Sequence, residues 1–385
     1  MIFEKPLAWL QLTYKKNRMI VAVAGITFAV FLMFMQLGLQ AGLYESATAV
    51  HRSLRADLVL IHYRSLALYD LLTFPRRYLY QAINIDGVES VSPLYVGFAE
   101  WQSPTTPFVR RIYVFGFNPE RPAFDLPEVY KNLDKIKNPD IFLFDNKSRP
   151  VFGINLNLEK KFKEIELELN NKRVKISGIY NIGPSFESDG SLITSDINFM
   201  RIFPLRNGEY VDLGLIKLKE GIEVSQVIDQ LKHLIPKEIR IMTHQDLIDY
   251  EKNFWGNNRP IGIIFLQGAI LGFIIGTVFI YQIIYTDVSE HLNDYAILKV
   301  RGYTNKYLIF IVFQEALILS ILGYVPGLII SIFMYKLTES LAFLPIYMTF
   351  NRALLVLFLS IFMSSIAGLI AIQKLRDADP VDLLI

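Results

Sequence analysis

The sequence predicts an α-helical membrane protein with four transmembrane helices and a mixed α/β extracytoplasmic domain inserted between the first and second of them. Three observations lead there. The chain of 385 residues is 52% hydrophobic, with a mean hydropathy of +0.33. Charge is nearly absent from four stretches: 19–44, 260–286 and 353–373 contain no Asp, Glu, Lys or Arg, and 307–335 contains only Glu315. Each exceeds the roughly 20 residues that a helix needs to cross a bilayer. The interval 45–259, about 215 residues, is polar enough to fold in water, and that size can bury a core. A net charge of only +2 favours neither a disordered chain nor a nucleic-acid binder.

Orientation follows from Lys and Arg in the short segments, because long domains translocate regardless of charge. Lys5, Lys15, Lys16 and Arg18 precede the first span, Lys299, Arg301 and Lys306 lie between the second and third, and Lys374 and Arg376 follow the fourth. Only Lys336 and Arg352 flank the remaining hairpin, so nine against two places both termini and the 287–306 segment in the cytoplasm and the large domain outside. Ala47-Thr48-Ala49 offers a small-x-small cleavage pattern. The apolar run before it is longer than the roughly 7–15 residues of a signal h-region, so an uncleaved signal anchor is expected. With no cysteine, disulfides and thiolate metal sites are excluded, and the outer domain must hold by its own core.

The elements follow in order. Residues 1–18 read either as a cytoplasmic interfacial helix, with Leu7, Leu10 and Tyr14 at helical spacing beside Trp9, or as a ragged start to the 19–44 span. Within 45–259, "IELELNNKRVKISGIY" alternates apolar residues on either side of Asn170-Asn171, a β-hairpin signature. Short strands are expected at "ADLVLI", "RRIYVFGF", "VDLGLIKL" and "EIRIM". Val224, Val227, Ile228, Leu231, Leu234 and Ile235 share one helical face. Thr243 and Asp246 match a capping box, opening a helix expected to run into the 260–286 span. "SPTTPF", "NPERPAFDLP" and "NIGPSF" read as loops. A 336–352 hairpin and a 374–385 tail complete the chain.

Catalytic and metal signatures are missing. There is no G-x-x-x-x-G-K-[ST], so no phosphate cradle is supplied by this chain. The five histidines are scattered without H-E-x-x-H, and no G-x-S-x-G occurs. A non-catalytic chain is expected.

Three sets of residues stand out. Gly268, Gly272 and Gly276 recur every four residues, a ridge that lets another helix approach closely, either in ordinary packing or at a dimer interface. Gly323 and Gly327 bracket Pro326, where the third span can loosen or kink. Gln314 and Glu315 lie about two turns inside the same span; a carboxylate there costs about 2.5–3.5 kcal/mol if it faces lipid. It is expected to face protein as a structural hydrogen bond or ion pair. A proton relay would need a chain of partners, and none is visible in the sequence.

The 287–306 segment is too short for a catalytic domain, yet Tyr295, Ile297, Leu298 and Val300 stand among Asp294, Lys299 and Arg301. It reads as a membrane-surface turn or as a docking helix for a cytoplasmic partner. "NDYAILKVRGYTNKYLIFIVFQEALILSILGYVPG" resembles the segment of FtsX/MacB-type permeases in which E-I-G-x-L-(K/R)-A-x-G precedes a third span with Gln-Glu and glycines. Asp294 stands where that family has Glu and Ala296 where it has Gly; Leu298, Lys299 and Gly302 fit. "PLAWLQLTYKKNRMIVAVAGITFAVFLMFMQLGLQ", "GVESVSPLYVGFAEW", "VFGFNPERPAFDLP" and "LFDNKSRPVFG" resemble the cyanobacterial Dev-type (DevC-like) permease of the heterocyst glycolipid exporter.

The resemblance implies the homodimeric permease of a type VII ABC transporter in the bacterial, here cyanobacterial, inner membrane. It implies a separate ABC ATPase that binds ATP, so no cofactor of its own, with Asp294, Ile297, Leu298, Lys299, Arg301 and Gly302 coupling to that ATPase. Outside, it implies a membrane-fusion adaptor and a TolC-like outer-membrane channel, with a lipid-like substrate driven through the adaptor by mechanotransmission; membrane lipids surround the spans and no nucleic acid is a partner. The alternative is an FtsX-like transducer that controls a periplasmic enzyme. A sensor receptor would need an output domain larger than the inward segments.

Overall fold

The computed structural model describes residues 7–102, 108–154 and 164–377, with the side chains of Asn293 and of 372–377 left aside. Expectations for residues 1–6, for the loop at 103–107 and for the tail from 378 onward lie outside the described residues. In chain order the helices and strands are α1 (Leu7–Tyr14), α2 (Lys16–Arg52), β1 (Leu58–His62), β2 (Phe74–Pro75), α3 (Arg77–Gln81), β3 (Val88–Gln102), β4 (Val109–Phe117), α4 (Pro127–Tyr130), α5 (Leu133–Ile136), β5 (Ile141–Asp145), β6 (Ile165–Leu169), β7 (Lys172–Tyr180), β8 (Ser191–Ser195), α6 (Asp196–Ile202), β9 (Tyr210–Val211), β10 (Leu213–Leu218), α7 (Val224–Leu234), β11 (Ile239–Thr243), α8 (His244–Asn253), α9 (Pro260–Glu290), α10 (Leu292–Val300), α11 (Asn305–Ala342) and α12 (Phe350–Asp377). They form two compact units: Met1–Gly42 with Ile261–Ile385, and Leu43–Pro260.

Among the described residues, four helices are long and apolar enough to cross a membrane: Lys16–Arg52, Pro260–Glu290, Asn305–Ala342 and, within α12, Phe350–Ala371; most of each lies in the first unit. The unit has an interior of its own, in which Ile26, Val30, Met33 and Phe34 of α2 pack with Ile280 and Ile284 of α9, Val312 and Leu319 of α11, and Met363 and Ala367 of α12. Its surface is also apolar: Ile264, Leu271 and Ile274 of α9, Phe333 of α11 and Phe358 of α12 are exposed. Apolar side chains on the outside suit a hydrocarbon surround, where only intrahelical hydrogen bonds can satisfy the backbone. Ala8 and Leu12 bury α1 in the same core, and Leu10 and Tyr14 face outward. α11 remains helical through Pro326.

The second unit contains a mixed nine-stranded sheet in the order β11-β1-β10-β3-β4-β8-β5-β7-β6. The far end of the 15-residue β3 also pairs with β6, Trp101 opposite Leu169 and Gln102 opposite Glu168. That second pairing closes six strands, β3-β4-β8-β5-β7-β6, into a ring and removes two free edges. Side chains alternate across the sheet. Ile112 and Val114 of β4 enter one core, with Trp101, Phe142, Phe144 and Phe152. Tyr113, Phe115 and Phe117 enter another, with Phe124, Tyr180 and Leu247.

The hairpin read from the sequence is β6–β7, joined by Asn170 and Asn171 at φ 48° and 60°. Two successive positive φ values define the turn whose twist matches paired strands, and Asn tolerates them. Thr243 caps α8 with both reciprocal bonds of the capping box. That helix does not run unbroken into the next, contrary to the sequence expectation. A π-helical turn at Phe254–Asn258 follows Asn253, and Arg259 is extended at φ −114° and ψ 143°. Pro260 excludes the helical conformation from the residue before it and opens α9 as a new helix.

Candidate functional site: the α10 helix and its bundle

α10 lies between the two membrane-crossing helices α9 and α11, and each of its residues has a distinct environment. His291 Nδ1 is 2.8 Å from Asp294 Oδ2 at the helix start. Tyr295 and Ala296 are buried against the bundle, and Leu298 is half-buried on the same core. Ile297 is 47% exposed and Val300 69%. Lys299 is half-buried, and Arg301 and Gly302 are exposed. Gly302 has φ +95° with open space where a Cβ would stand, so the left-handed turn from α10 into α11 is what requires glycine here. α1 lies alongside. An open groove of about 390 Å³ runs between the two helices, lined by Leu10, Gln11, Tyr14, Ile297, Leu298 and Arg301 among others. Lys15 and Arg18 meet Glu290 at 2.7 and 2.6 Å, fastening the start of α2 to the end of α9.

The glycine ridge lies away from this groove, on α9 against α2 of the same chain. A Cβ at Gly272 would stand 3.0 Å from Met33 Cγ and 3.3 Å from the Ala29 carbonyl oxygen; at Gly276 it would meet Ala29 and Met363, and at Gly268, Gln36. Gly323 and Gly327 of α11 press on α2 in the same way, at Ile26 and Val30, and Thr27 Oγ1 donates to the Gly323 carbonyl at 3.2 Å. Such close approach is how helices associate where no hydrophobic effect drives them together. Because backbone atoms face Gly272, Gly272→Leu cannot be absorbed by a rotamer change. It is expected to lower the unfolding temperature of the subunit by several degrees, through an overpacking cost of about 1–3 kcal/mol. Unchanged melting of the purified variant would show that the α2–α9 contact is looser than this.

Glu315 is fully buried, and neither of its carboxylate oxygens has a hydrogen-bond donor. Gln314 beside it is half-buried. Around Glu315 stand Asp287 at the end of α9 and Tyr295 of α10. Gln11 of α1 faces Tyr295. Sequence reading found none of these partners, because they come from helices far apart in the chain.

The second unit has a buried polar cluster of its own. Glu251 Oε1 accepts from Trp255 Nε1 at 2.9 Å and Oε2 from the Leu68 amide at 3.1 Å, with His51 Nε2 3.4 Å from Oε2. Burial, and then the charge of Glu187, push the Glu251 carboxyl up to about 8. Glu187, which accepts from the Tyr113 hydroxyl at 2.9 Å, is pushed up to about 7 by burial. A separate surface hollow of about 720 Å³ is lined by Arg76, Arg77, Tyr80, Glu209 and Tyr210 among others. No sequence motif marks either feature.

The search of curated proteins returned no match. Among solved structures, the chain is similar to the periplasmic region of MacB from Actinobacillus actinomycetemcomitans, at 12% identity and TM-score 0.37, covering 52% of this chain and 95% of that one. It is also similar to the extracellular domain of the noncanonic ABC-type transporter YknZ from Gram-positive bacteria, at 11% identity and TM-score 0.34, covering 48% and 99%. Residues 265–380, which include nearly all of α9 and the whole of α10, α11 and α12, match the FtsX-like permease C-terminal family.

Proposed function

We propose that the chain is the permease subunit of a tripartite ABC exporter working by mechanotransmission. The observation that carries the proposal is the family match across 265–380, a stretch in which a short helix between two membrane crossings exposes Ile297 and Val300. In this reading α10 seats in a groove of a separate ATPase, which binds the ATP. Two copies of the chain form the membrane unit, in a bacterial inner membrane with both termini in the cytoplasm. The second unit stands outside and engages an adaptor that leads to an outer-membrane channel. The substrate is lipid-like, after the Dev-type resemblance of the sequence.

The test is co-purification of the permease with its ATPase and adaptor, followed by a screen for lipids that stimulate hydrolysis. A complex with the ATPase whose hydrolysis no lipid stimulates, and which instead binds a cell-wall hydrolase, would make the chain a transducer. Topology is tested with single cysteines, which the cysteine-free sequence allows. Ser188 is buried, so the outer probe belongs at the fully exposed Leu205. Leu205→Cys should react with an impermeant thiol reagent on intact cells stripped of their outer membrane, and Asn305→Cys only after lysis. The reverse pattern rejects the orientation.

A further inference from the structure

The bundle encloses a group of polar atoms with no partner: both Glu315 oxygens, Asp287 Oδ2, the Tyr295 hydroxyl and Gln11 Oε1. All four residues are buried: Glu315 is 0% exposed, Tyr295 1%, Asp287 8% and Gln11 9%. The Asp287 and Glu315 carboxyls are neighbours in this cluster. Two ionised carboxylates cannot hydrogen-bond to each other, since both only accept. A buried pair carrying two negative charges is also disfavoured by mutual repulsion and by lost hydration, which is why paired carboxyls share a proton.

The charges around the pair do not remove this need. Beside Asp287 stand Arg18 of α2, His291 before α10 and Glu290. Arg18 and Lys15 are themselves committed to Glu290. On α10, Asp294 adds a further negative charge near Tyr295. Glu315 on α11 faces no cation among the described residues; its charged neighbour is Asp287. One face of the pair leads out: His291 Nε2 is 4.0 Å from Asp287 Oδ1, and the His291 side chain is 20% exposed.

We propose that Asp287 and Glu315 form a proton-binding site, with one proton shared between the two carboxyls and His291 as its route to solvent. Loaded, the pair carries a single negative charge and a satisfied hydrogen bond. Unloaded, by transfer of the proton through His291 to water, it leaves two buried charges beneath Tyr295, the residue by which α10 rests on the bundle. The proton therefore bears on how firmly α10 is seated. The inference stands on the side chains alone and holds whatever the chain exports.

Dicyclohexylcarbodiimide, which attacks protonated carboxyls in apolar surroundings, is the probe, used on the full chain in lipid nanodiscs with the labelled residue found by mass spectrometry. Near neutral pH the wild type should be labelled at Asp287 or Glu315. In Glu315→Gln, Asp287 labelling should fall by about tenfold, the change that one unit of pKa produces. If Glu315→Gln does not fold, Asp287→Asn with labelling read at Glu315 serves in its place, and the wild-type result needs neither variant. No labelling of either residue near neutral pH overturns the proposal. So does protection of both residues by added sodium or calcium at constant pH, which would make this a cation site.

Discussion

Ile297→Asp should weaken association with the ATPase by at least about tenfold and leave the bundle intact. The structure separates two residues that are adjacent in the sequence. Leu298, which the motif favours as the anchor, is half-buried on the core of its own chain, whereas Ile297 is 47% exposed on the outward side of α10. Burying such a side chain in a partner's groove contributes roughly 1.5–3 kcal/mol, and each factor of ten in affinity is about 1.4 kcal/mol. A carboxylate in its place adds a desolvation cost. Leu298→Asp would lose the same contact and also disturb α10's seat, so it cannot distinguish the two effects. The measurement is ATPase binding and transport by a variant whose melting temperature matches the wild type. Normal binding and export by Ile297→Asp would reduce α10 to a connecting turn.

A second large effect is expected from pH on the second unit. Glu251 has a folded-state pKa of about 8 against 4.5 for a free glutamate. The folded state therefore binds more protons than the unfolded one between those values, and stability falls as pH rises through that window. At about 1.4 kcal/mol per unit, the loss is at most about 5 kcal/mol. Below about 4.5 the contribution of this group is complete, and above about 8 it is gone. Glu187, raised to about 7, acts in the same direction over a narrower range. Intrinsic fluorescence should show the purified chain melting several degrees lower above pH 8 than near pH 5. Trp255 reports directly, since its Nε1 donates to Glu251. Glu251→Gln should flatten most of that dependence. An equal pH dependence in wild type and variant would mean that Glu251 is ionised in the folded state.

Much of this architecture is legible one segment at a time. Charge-free runs find the membrane-crossing helices because the bilayer sets a length that composition must meet. Asn170-Asn171 and Thr243 with Asp246 find a turn and a cap because those bonds close within a few residues. Whatever depends on distant pairing is not legible. β5, "IFLFD", escapes the alternating pattern because four of its five residues are buried; β8, "SLITS", is too short to alternate, and β3 is interrupted by Ser90, Ser92, Pro93 and Gly97. Ring closure by β3 and β6 joins residues near 101 to residues near 169. Glu315 signals a buried charge, but its partner Asp287 sits at the end of another helix, among residues that read as an ordinary polar boundary. The glycine ridge announces a close contact without naming α2 as the other side.

The second unit begins and ends at the same place. β1 and β11 pair along their whole length, from Leu58 opposite Thr243 to His62 opposite Ile239, and the His51 carbonyl accepts from His244 Nε2 at 2.7 Å. Loop-closure entropy makes the consequence quantitative. Confining the ends of a 215-residue loop, as against a ten-residue one, costs about 3 kcal/mol more by the logarithmic law. That cost falls on the unit's own strand pairing, because its two ends are already joined when it folds. The helices on either side are left with the entropy of a short connection, and so can assemble as though nothing had been inserted between them.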